Sequence, residues 1–220
     1  MLYSPEKTVI IDYGMGNLRS VLRKCERVGK SVTVSGNPEV IALADKLILP
    51  GVGHFANGVK NLEASGIWDV LNQKVLVEKT PILGICLGMQ LMARFSEEGN
   101  VAGLGWFDAE VMRFNMLHKL KHKVPHMGWN SLTHRKDSLL LDQLPAEMMF
   151  YFVHSYHVVC ARQEDILTTT DYEHTFTSAI QKGHIYGTQF HPEKSHDSGE
   201  QLLANFLASN IGQTHSAPIS

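Results

Sequence analysis

One short stretch, Thr80-Pro-Ile-Leu-Gly-Ile-Cys-Leu-Gly-Met-Gln-Leu-Met92, constrains the fold of this chain more than any other. The apolar run at 82–85 predicts a buried strand, and a helical pattern begins at Gly88. Glycines on both sides of Cys86 allow the strained turn of a nucleophile elbow, which presents its central side chain at the carboxyl edge of a sheet. We therefore predict that Cys86 is a nucleophile whose thiolate is stabilised by a helix N-terminus. The alternative is a small buried cysteine that only packs.

A candidate base lies near the other end of the chain, in Ile185-Tyr-Gly-Thr-Gln-Phe-His-Pro-Glu193. This segment predicts a strand that ends in His-Pro-Glu. Pro192 disfavours helical geometry at His191, and residues two apart in an extended segment share a face. His191 and Glu193 are therefore predicted to point the same way, with the imidazole as general base and acid and the carboxylate orienting it. Cys86, His191 and Glu193 form the candidate catalytic triad; the alternative for His191 is an ordinary surface histidine.

Strand and helix patterns alternate along most of the chain. Strands are predicted at 9–11, 32–34 and 46–49, and helices at 18–28, from Pro38 onwards, and at 55–64. This alternation predicts an α/β fold with a mostly parallel, doubly wound sheet flanked by helices, whose active site lies beyond the carboxyl ends of the strands. Strands at 168–170 and 178–180 predict an additional antiparallel portion. A helix at 199–211 is predicted to close the fold.

Composition and charge exclude several classes of function. The chain has 220 residues, of which 44% are hydrophobic, enough for one core, and we predict one domain at 1–212 and a flexible tail at 213–220. A formal charge of −2 gives no reason to expect nucleic acid or a membrane as partner. Three cysteines at unrelated spacings favour a reducing cytoplasm. The basic stretch at 114–123 predicts a solvated loop, and since its histidines lack metal-site spacing we predict neither a metal nor another cofactor.

The two motifs taken together resemble a known family. Gly84-Ile-Cys-Leu-Gly-Met-Gln90 and His191-Pro-Glu193 resemble the triad-type, class I glutamine amidotransferases. Four further segments, in order along nearly the whole chain, resemble the glutaminase subunits of imidazole glycerol phosphate synthase: Asp12-Tyr-Gly-Met-Gly-Asn17, Pro50-Gly-Val-Gly-His-Phe55, Val124-Pro-His-Met-Gly-Trp-Asn130 and Tyr151-Phe-Val-His-Ser-Tyr156. Pro50-Gly-Val-Gly departs from the Gly-Gly pair of many class I relatives but agrees with the narrower family.

This resemblance implies a fold, a reaction and a partner. The fold would be flavodoxin-like, with residues 1–212 as a single glutamine amidotransferase domain. The chain would hydrolyse L-glutamine to glutamate and ammonia through a thioester on Cys86. Ammonia would pass to a (β/α)₈ cyclase subunit, bound as a heterodimer, which makes imidazole glycerol phosphate and aminoimidazole carboxamide ribotide in histidine biosynthesis.

Roles for further residues follow from the glycine loop and from the resemblance. The loop of Gly51, Val52 and Gly53 lies at a predicted strand end and is suited to supply an oxyanion N–H beside that of Leu87. The resemblance implies that glutamine contacts Gln90, Glu98, Ser155 and Tyr156. It also implies that the partner contacts Asn17, Trp129, Tyr151 and Lys194.

Three alternatives remain open at the level of sequence. A paralogue with the same glutamine chemistry would feed ammonia to a different synthase, for instance in cell-surface sugar modification. A cysteine hydrolase on the same fold would act without a partner and would not need a pocket of the Gln90 type. A non-catalytic binding module would not need the set of Cys86, His191 and Glu193.

Overall fold

The computed structural model describes residues 6–115, 123–145 and 147–208. Fourteen strands occur in these ranges: β1 (Thr8–Ile11), β2 (Val32–Ser35), β3 (Lys46–Gly51), β4 (Ile82–Cys86), β5 (Ala93–Ser96), β6 (Val101–Ala102), β7 (Phe107–Arg113), β8 (His126–Ser131), β9 (Thr133–His134), β10 (Met149–His154), β11 (Tyr156–Cys160), β12 (Ile166–Asp171), β13 (Thr175–Lys182) and β14 (Ile185–Thr188). The same ranges contain six α-helices: α1 (Leu18–Arg27), α2 (Pro38–Ala42), α3 (Phe55–Ala64), α4 (Ile67–Asn72), α5 (Leu87–Gln90) and α6 (His196–Ala208). A π-helical turn, Gln73–Val77, extends α4, and 3₁₀ turns span Leu139–Leu141, Gln163–Asp165 and Pro192–Lys194.

The central sheet has a parallel half and a mixed half. The parallel strands lie in the order β2-β1-β3-β4-β14. Beyond β14 the sheet continues antiparallel through β13, β11 and β7, and then to β5 and β6. β12 pairs with β13, also antiparallel, and β8 with β10 forms a separate antiparallel ribbon. The predicted doubly wound α/β fold with an antiparallel portion is therefore confirmed.

Side chains of the parallel strands point alternately to the two faces of the sheet and pack into two core layers. All four residues of β1 are buried, as expected for a strand covered by helices on both faces. Val9 and Ile11 pack into the layer that includes residues of α3 and α4. Ile10 packs on the opposite face, with residues of α1 and α6. This sandwich fixes the parallel strands rigidly, so that residues at their carboxyl ends have defined positions.

Local sequence signals place the starts of α1, α2 and α3 correctly. The side chain of Asn17 accepts a hydrogen bond from the Ser20 N–H and caps α1, and that of Asn37 accepts one from the Glu39 N–H and caps α2. Pro38 occupies the first helical position, as predicted. The predicted helix at 55–64 has the observed bounds of α3.

The helix predicted after Cys86 is only one turn long. α5 contains four residues, and the chain enters β5 at Ala93. Leu87, Met89, Leu91 and Met92 are all buried, so their side chains carry no one-sided pattern that would indicate where the helix ends. A single turn has few aligned peptides, and its dipole is correspondingly small. The helix dipole is therefore not the main support for a thiolate at Cys86.

Other predicted boundaries also need correction. β14 ends at Thr188, and His191 enters a 3₁₀ turn instead of ending an extended strand. α6 starts at His196, earlier than predicted, while its predicted end at Ile211 and the tail at 213–220 lie outside the described residues. Residues 116–122 of the predicted basic loop are also outside them, and Phe114 at its start is buried among aromatic and histidine rings rather than solvated. Within the described part of the chain, no helix is long and apolar enough to cross a bilayer.

Candidate active site

Three neighbouring parallel strands deliver the candidate site residues to one edge of the sheet. β4 lies between β3 and β14. Gly51, at the end of β3, is paired with Cys86 at the end of β4, and Thr188 of β14 is paired with Ile85. The loop after β3, the cysteine after β4 and the segment after β14 therefore meet beyond the carboxyl ends, where ligands bind in open α/β sheets.

Cys86 occupies the strained position of an elbow. Its φ of 55° and ψ of −108° are rare for a residue with a side chain. Gly88 lies against β3, where an added Cβ would overlap the Leu49 carbonyl oxygen. A Cβ on Gly84 would lie 2.7 Å from the Gly88 carbonyl oxygen. Glycine is therefore required at both flanking positions, because other backbone atoms leave no room for a side chain there. The predicted elbow geometry is present.

The imidazole of His191 is held by Glu193. Its Nδ1 lies 2.8 Å from Oε1 of Glu193, and the two side chains are 1% and 3% exposed. Burial lowers the pKa of His191, but interaction with the Cys86 thiolate and then with Glu193 outweighs burial and raises that pKa to about 9. Within the described residues, the buried Nε2 has no partner in hydrogen-bonding geometry. Nε2 therefore interacts electrostatically with the Cys86 sulfur and is available to exchange a proton with a bound molecule.

The backbone of His191 is fixed by strand β10. The His191 N–H donates to the Tyr151 carbonyl at 2.9 Å. The Tyr151 N–H donates to Oγ of Ser195 at 3.0 Å, and the Ser195 hydroxyl donates to the His191 carbonyl at 2.6 Å. Ser195 is fully buried, and sequence reasoning missed it because nothing in the sequence indicates that β10 passes beside this turn.

The proposed oxyanion loop lies directly against the elbow. A Cβ on Gly51 would overlap the Tyr13 hydroxyl and lie 2.9 Å from Cβ of Leu87. Gly53 has a φ of +120°, and Val52 between the two glycines is 40% exposed. The Tyr13 hydroxyl is buried without a hydrogen-bond partner in the described ranges, and burial, with a smaller contribution from Cys86, raises its pKa. Sequence reasoning did not identify Tyr13 as part of this site.

The predicted glutamine-binding residues have defined contacts. The Gln90 amide nitrogen donates to the Tyr156 carbonyl and to Oε1 of Gln189, both at 3.0 Å. Both hydrogens of that amide are thus used within the protein, which leaves its oxygen to contact a ligand. Oε2 of Glu98 accepts from the Phe55 N–H at 2.8 Å, beside the start of α3. Ser155 is half-buried, and its carbonyl accepts from the Phe114 N–H.

The predicted partner-facing side chains include three that lie close together. Trp129 and Tyr151 are cross-strand neighbours in the ribbon of β8 and β10, with ring centroids 5.9 Å apart. The Lys194 ammonium lies 5.6 Å from the Tyr151 ring centroid, and Trp129 is 43% exposed. Asn17 is exposed at the start of α1, a helix that packs on the turn containing Lys194.

The other two cysteines are unlike Cys86 in their surroundings. Cys25 is 0% exposed and packs in the core, and Cys160 is 8% exposed. Burial, assisted by Glu26, raises the pKa of Cys25 to about 12. Burial, assisted by Asp165, raises that of Cys160 to about 12. Within the described ranges neither thiol interacts with a histidine–carboxylate pair, so both are expected to remain unreactive near neutral pH.

A strained cysteine that faces a histidine–carboxylate pair at the carboxyl edge of a doubly wound sheet is the arrangement of a cysteine-dependent amide hydrolase. Residues 9–210 match the family described as glutamine amidotransferase class-I, and the chain belongs to that family. Its similar relatives include imidazole glycerol phosphate synthase subunit HisH 2 of Methanococcus maripaludis, which is 50% identical over 90% of this chain and 97% of the relative. The subunit of the same name from Pseudomonas aeruginosa is 45% identical over 90% of this chain and 98% of the relative.

Solved structures support the fold at much lower identity. A glutamine amidotransferase from Thermotoga maritima superimposes with a TM-score of 0.63 at 16% identity, over 96% of this chain and 100% of that one. A chain of PurLQS from the same organism gives a TM-score of 0.71 at 13% identity, over 92% of this chain and 97% of that one. These likenesses establish the shared α/β architecture only.

Proposed function

We propose that this chain is the glutaminase subunit of an imidazole glycerol phosphate synthase, acting in the cytoplasm. The observation that carries the proposal is the position of Cys86, strained at the end of β4 and facing the pair of His191 and Glu193. The identity of about half with HisH subunits over nearly their whole length supports the same activity and pathway. The chain binds L-glutamine and works as a heterodimer with a (β/α)₈ cyclase subunit, without nucleic acid or membrane.

The first half of the reaction forms a thioester. The Cys86 thiolate attacks the side-chain amide carbon of glutamine, and backbone N–H groups of Leu87 and of the Gly51–Val52–Gly53 loop hold the developing oxyanion. The pKa of His191, about 9, keeps the imidazole protonated near neutral pH. As the C–N bond breaks, His191 gives its Nε2 proton to the departing nitrogen, which leaves as ammonia.

The second half of the reaction restores the enzyme. Neutral His191 takes a proton from water, whose oxygen attacks the thioester carbon. The C–S bond breaks, glutamate leaves, and the thiolate–imidazolium pair forms again. Glu193 holds Nδ1 throughout, so that only Nε2 exchanges protons.

The pocket and the partner surface are assigned on the same basis. Glu98 takes the α-ammonium of glutamine, while Gln90, Ser155 and Tyr156 contact its other polar groups. The surface that includes Trp129, Tyr151, Lys194 and Asn17 faces the cyclase. The backbone of Tyr151 is hydrogen-bonded to His191 and Ser195. A partner that contacts Tyr151 can therefore change the position of the catalytic base through these hydrogen bonds.

Active-site labelling tests the nucleophile. A chloroketone analogue of glutamine is expected to modify Cys86 alone, as read by mass spectrometry of the intact chain and its peptides. Cys25 and Cys160 are internal controls, because burial raises the pKa of each to about 12. Equal modification of either control would remove the case for one activated thiolate.

Reconstitution with the cyclase tests the division of labour. Cys86→Ala in the heterodimer is expected to release no glutamate from glutamine but to support synthesis when ammonium is supplied, because the ammonia acceptor does not need the thiolate. Loss of both reactions in a normally assembled complex would contradict the proposal. A wild-type chain that hydrolyses glutamine but neither binds the cyclase nor supplies ammonia to it would point instead to a different synthase or to a free-standing hydrolase.

A further inference from the structure

The side chain of Gln189 reaches the nucleophile and has no assigned role. Gln189 is 0% exposed, and its Nε2 donates to Sγ of Cys86 at 3.7 Å, within range for a hydrogen bond to sulfur. It stands in the bend between β14 and His191, and its own N–H donates to the Ser178 carbonyl at 2.9 Å. Gln189 and His191 therefore approach the same sulfur from one segment. An amide nitrogen that donates to sulfur contacts a reacting atom.

The orientation of the Gln189 amide follows from its neighbour. Gln90 uses one amide hydrogen on the Tyr156 carbonyl and the other on Oε1 of Gln189, both at 3.0 Å. A carbonyl can only accept, so the Gln90 nitrogen, not its oxygen, must face Tyr156. The same nitrogen then requires an oxygen from Gln189. The nitrogen of Gln189 is thereby turned toward Cys86.

Two buried histidines anchor the far end of this chain of hydrogen bonds. The Tyr156 carbonyl also accepts from Nδ1 of His154 at 2.8 Å, so that nitrogen carries the proton. Nε2 of His154 must then accept, and Nδ1 of His126 donates to it at 3.1 Å. Burial lowers the pKa of His126 to about 4 and that of His154 well below its ordinary value, so both rings are neutral at pH 7. Every group from His126 to Gln189 thus has one consistent donor and acceptor assignment.

We propose that Gln189 is a catalytic residue that donates a hydrogen bond to the Cys86 thiolate, in the attacking state and again when the thiolate leaves the thioester. A hydrogen bond to a charged acceptor is stronger than one to a neutral acceptor, so this donor favours thiolate over thiol. Gln189 transfers no proton: the Cys86 proton goes to His191. The role rests on the proposed glutaminase function. The hydrogen bond from Gln189 stabilises the thiolate in addition to the dipole of the one-turn helix α5, which stabilises it only weakly.

Among the described residues, the titratable groups that interact with Cys86 are His191, itself paired with Glu193, and the Tyr13 hydroxyl. Gln189 carries no charge at any pH between 5 and 10. When an uncharged residue replaces Gln189 in a folded chain, a change in the pH dependence of Cys86 alkylation therefore reports the lost hydrogen bond and not a change of charge.

Two substitutions at Gln189 separate the hydrogen bond from packing. Gln189→Met keeps the length of the side chain but removes both the donor to Cys86 and the acceptor for Gln90. Gln189→Glu keeps an acceptor for Gln90 but turns a carboxylate oxygen toward the sulfur. Gln163→Met is the matched control, since Gln163 is exposed in the 3₁₀ turn before β12. Thermal melts and circular dichroism check that each variant is folded.

The readout is the rate of Cys86 alkylation by iodoacetamide in the purified chain, from pH 5 to 10, which needs neither glutamine nor partner. We expect the midpoint of the alkylation profile to move to higher pH by about 1–2 units in Gln189→Met, and further in Gln189→Glu. Alkylation at pH 10 should be close to that of the wild type, because thiolate is then abundant in each. Gln163→Met should keep the wild-type midpoint. In the heterodimer, kcat of Gln189→Met should fall about 10–100-fold at pH 7, the factor by which a shift of about 1–2 pH units lowers the thiolate fraction.

An unchanged midpoint in folded Gln189→Met would overturn the proposal, even if turnover fell, since packing alone would then explain the loss. If Gln189→Met does not fold, Gln189→Leu, which is also uncharged and has no donor, decides by the same midpoint. A shifted midpoint in a chain that releases no glutamate with its partner would leave the role of Gln189 intact while contradicting the proposed function.

Discussion

Nδ1 of His191 lies 2.8 Å from Oε1 of Glu193 across a 3₁₀ turn, with both side chains buried. Extended geometry would have placed the two residues on one face, and the actual backbone turns after His191 while bringing the same atoms together. Oε2 of Glu193 has no hydrogen-bond partner in the described part of the chain, so the hydrogen bond of this carboxylate goes to the imidazole alone.

This pairing predicts an alkaline limit to glutaminase activity. The pKa of His191 is raised from 6.5 to about 9, so the imidazolium that gives a proton to the departing amide nitrogen is present below about pH 9 and is lost as pH rises through that value. We expect the alkaline limb of the pH profile of kcat/KM to lie near 9. Glu193→Gln removes one of the causes of the raised pKa, and we expect the limb to move to lower pH and turnover to fall at least about 10²-fold. Glu78→Gln, at an exposed carboxylate paired with Lys74, is the control; a limb that stays in place in Glu193→Gln would contradict this assignment.

How far the sequence predicts this site depends on the range of the interactions. The elbow, the glycine loop and the pair of His191 and Glu193 depend on neighbours within a few positions, and local rules located them. The short length of α5 could not be predicted, because Met89 and Leu91 are apolar and buried whichever element contains them.

Contacts between distant segments could not be predicted from the sequence, for a different reason. Ser195 is important only because β10 passes beside it, and Tyr13 only because β1 neighbours β3. Gln189 did carry a signal, since it stands two positions before His191 and would share its face in an extended segment. A buried amide among strand residues becomes informative once the nucleophile it faces is known.

The elbow predicts a strong penalty at Gly88. An added Cβ would overlap the carbonyl oxygen of Leu49, which is backbone of β3 and cannot move independently. We expect Gly88→Ala to destabilise the chain by more than about 3 kcal/mol or to prevent folding. Gly29→Ala is the control: Gly29 has a φ of +74° but nothing within 4 Å of an added Cβ, so strain alone should cost roughly 1 kcal/mol. Urea unfolding measures the free energy of unfolding of both variants. Similar losses of stability in the two would show that the backbone of the elbow does not approach β3 closely.

The buried histidines predict sensitivity to acid. Burial lowers the pKa of His126 to about 4 and, with a contribution from His174, that of His157 to about 4, against 6.5 in the unfolded chain. The unfolded state therefore binds more protons between these values, so the free energy of unfolding falls as pH drops from about 6.5 to about 4. Above pH 6.5 these groups contribute no pH dependence. Denaturant unfolding across this range measures the slope.

His157→Phe tests the origin of that slope. Nδ1 of His157 is buried with no hydrogen-bond partner among the described residues, and the ring stacks on Phe114 with centroids 4.6 Å apart. Phenylalanine keeps the stacking and removes the unpaired nitrogen, so we expect stability at pH 7.5 to be unchanged or higher and the loss at pH 4.5 to be smaller. The exposed His134→Phe should leave the slope as it is. A steeper loss in His157→Phe would contradict the explanation.

The aromatic surface predicts a hot spot for the cyclase. Trp129 is 43% exposed, lies edge-on to Tyr151 and stacks on His196 with centroids 4.9 Å apart. We expect Trp129→Ala to weaken the heterodimer about 10–30-fold in Kd, measured by calorimetry, with little effect on the melting temperature of the free chain. Leu43→Ala, at a leucine that is 68% exposed on α2's C-terminal side, should leave Kd unchanged. Equal effects of the two would argue against a partner at Trp129.

The glycine loop predicts that the partner switches the enzyme on. Gly51 is fixed by Tyr13 and Leu87, whereas a Cβ on Gly53 would meet only the flexible end of Met15, so the freedom of the loop lies at the Val52–Gly53 side. With a φ of +120° available to Gly53, the loop can turn a backbone N–H away from the oxyanion site at little cost.

One missing oxyanion donor typically lowers turnover about 10²–10³-fold. We therefore expect glutamate release by the purified chain to be lower by that factor than release with the cyclase and its nucleotide ligand, and intermediate with the cyclase alone. The partner needs to favour the productive loop by only about 3–4 kcal/mol. Full turnover by the isolated chain would mean that its oxyanion site is already complete.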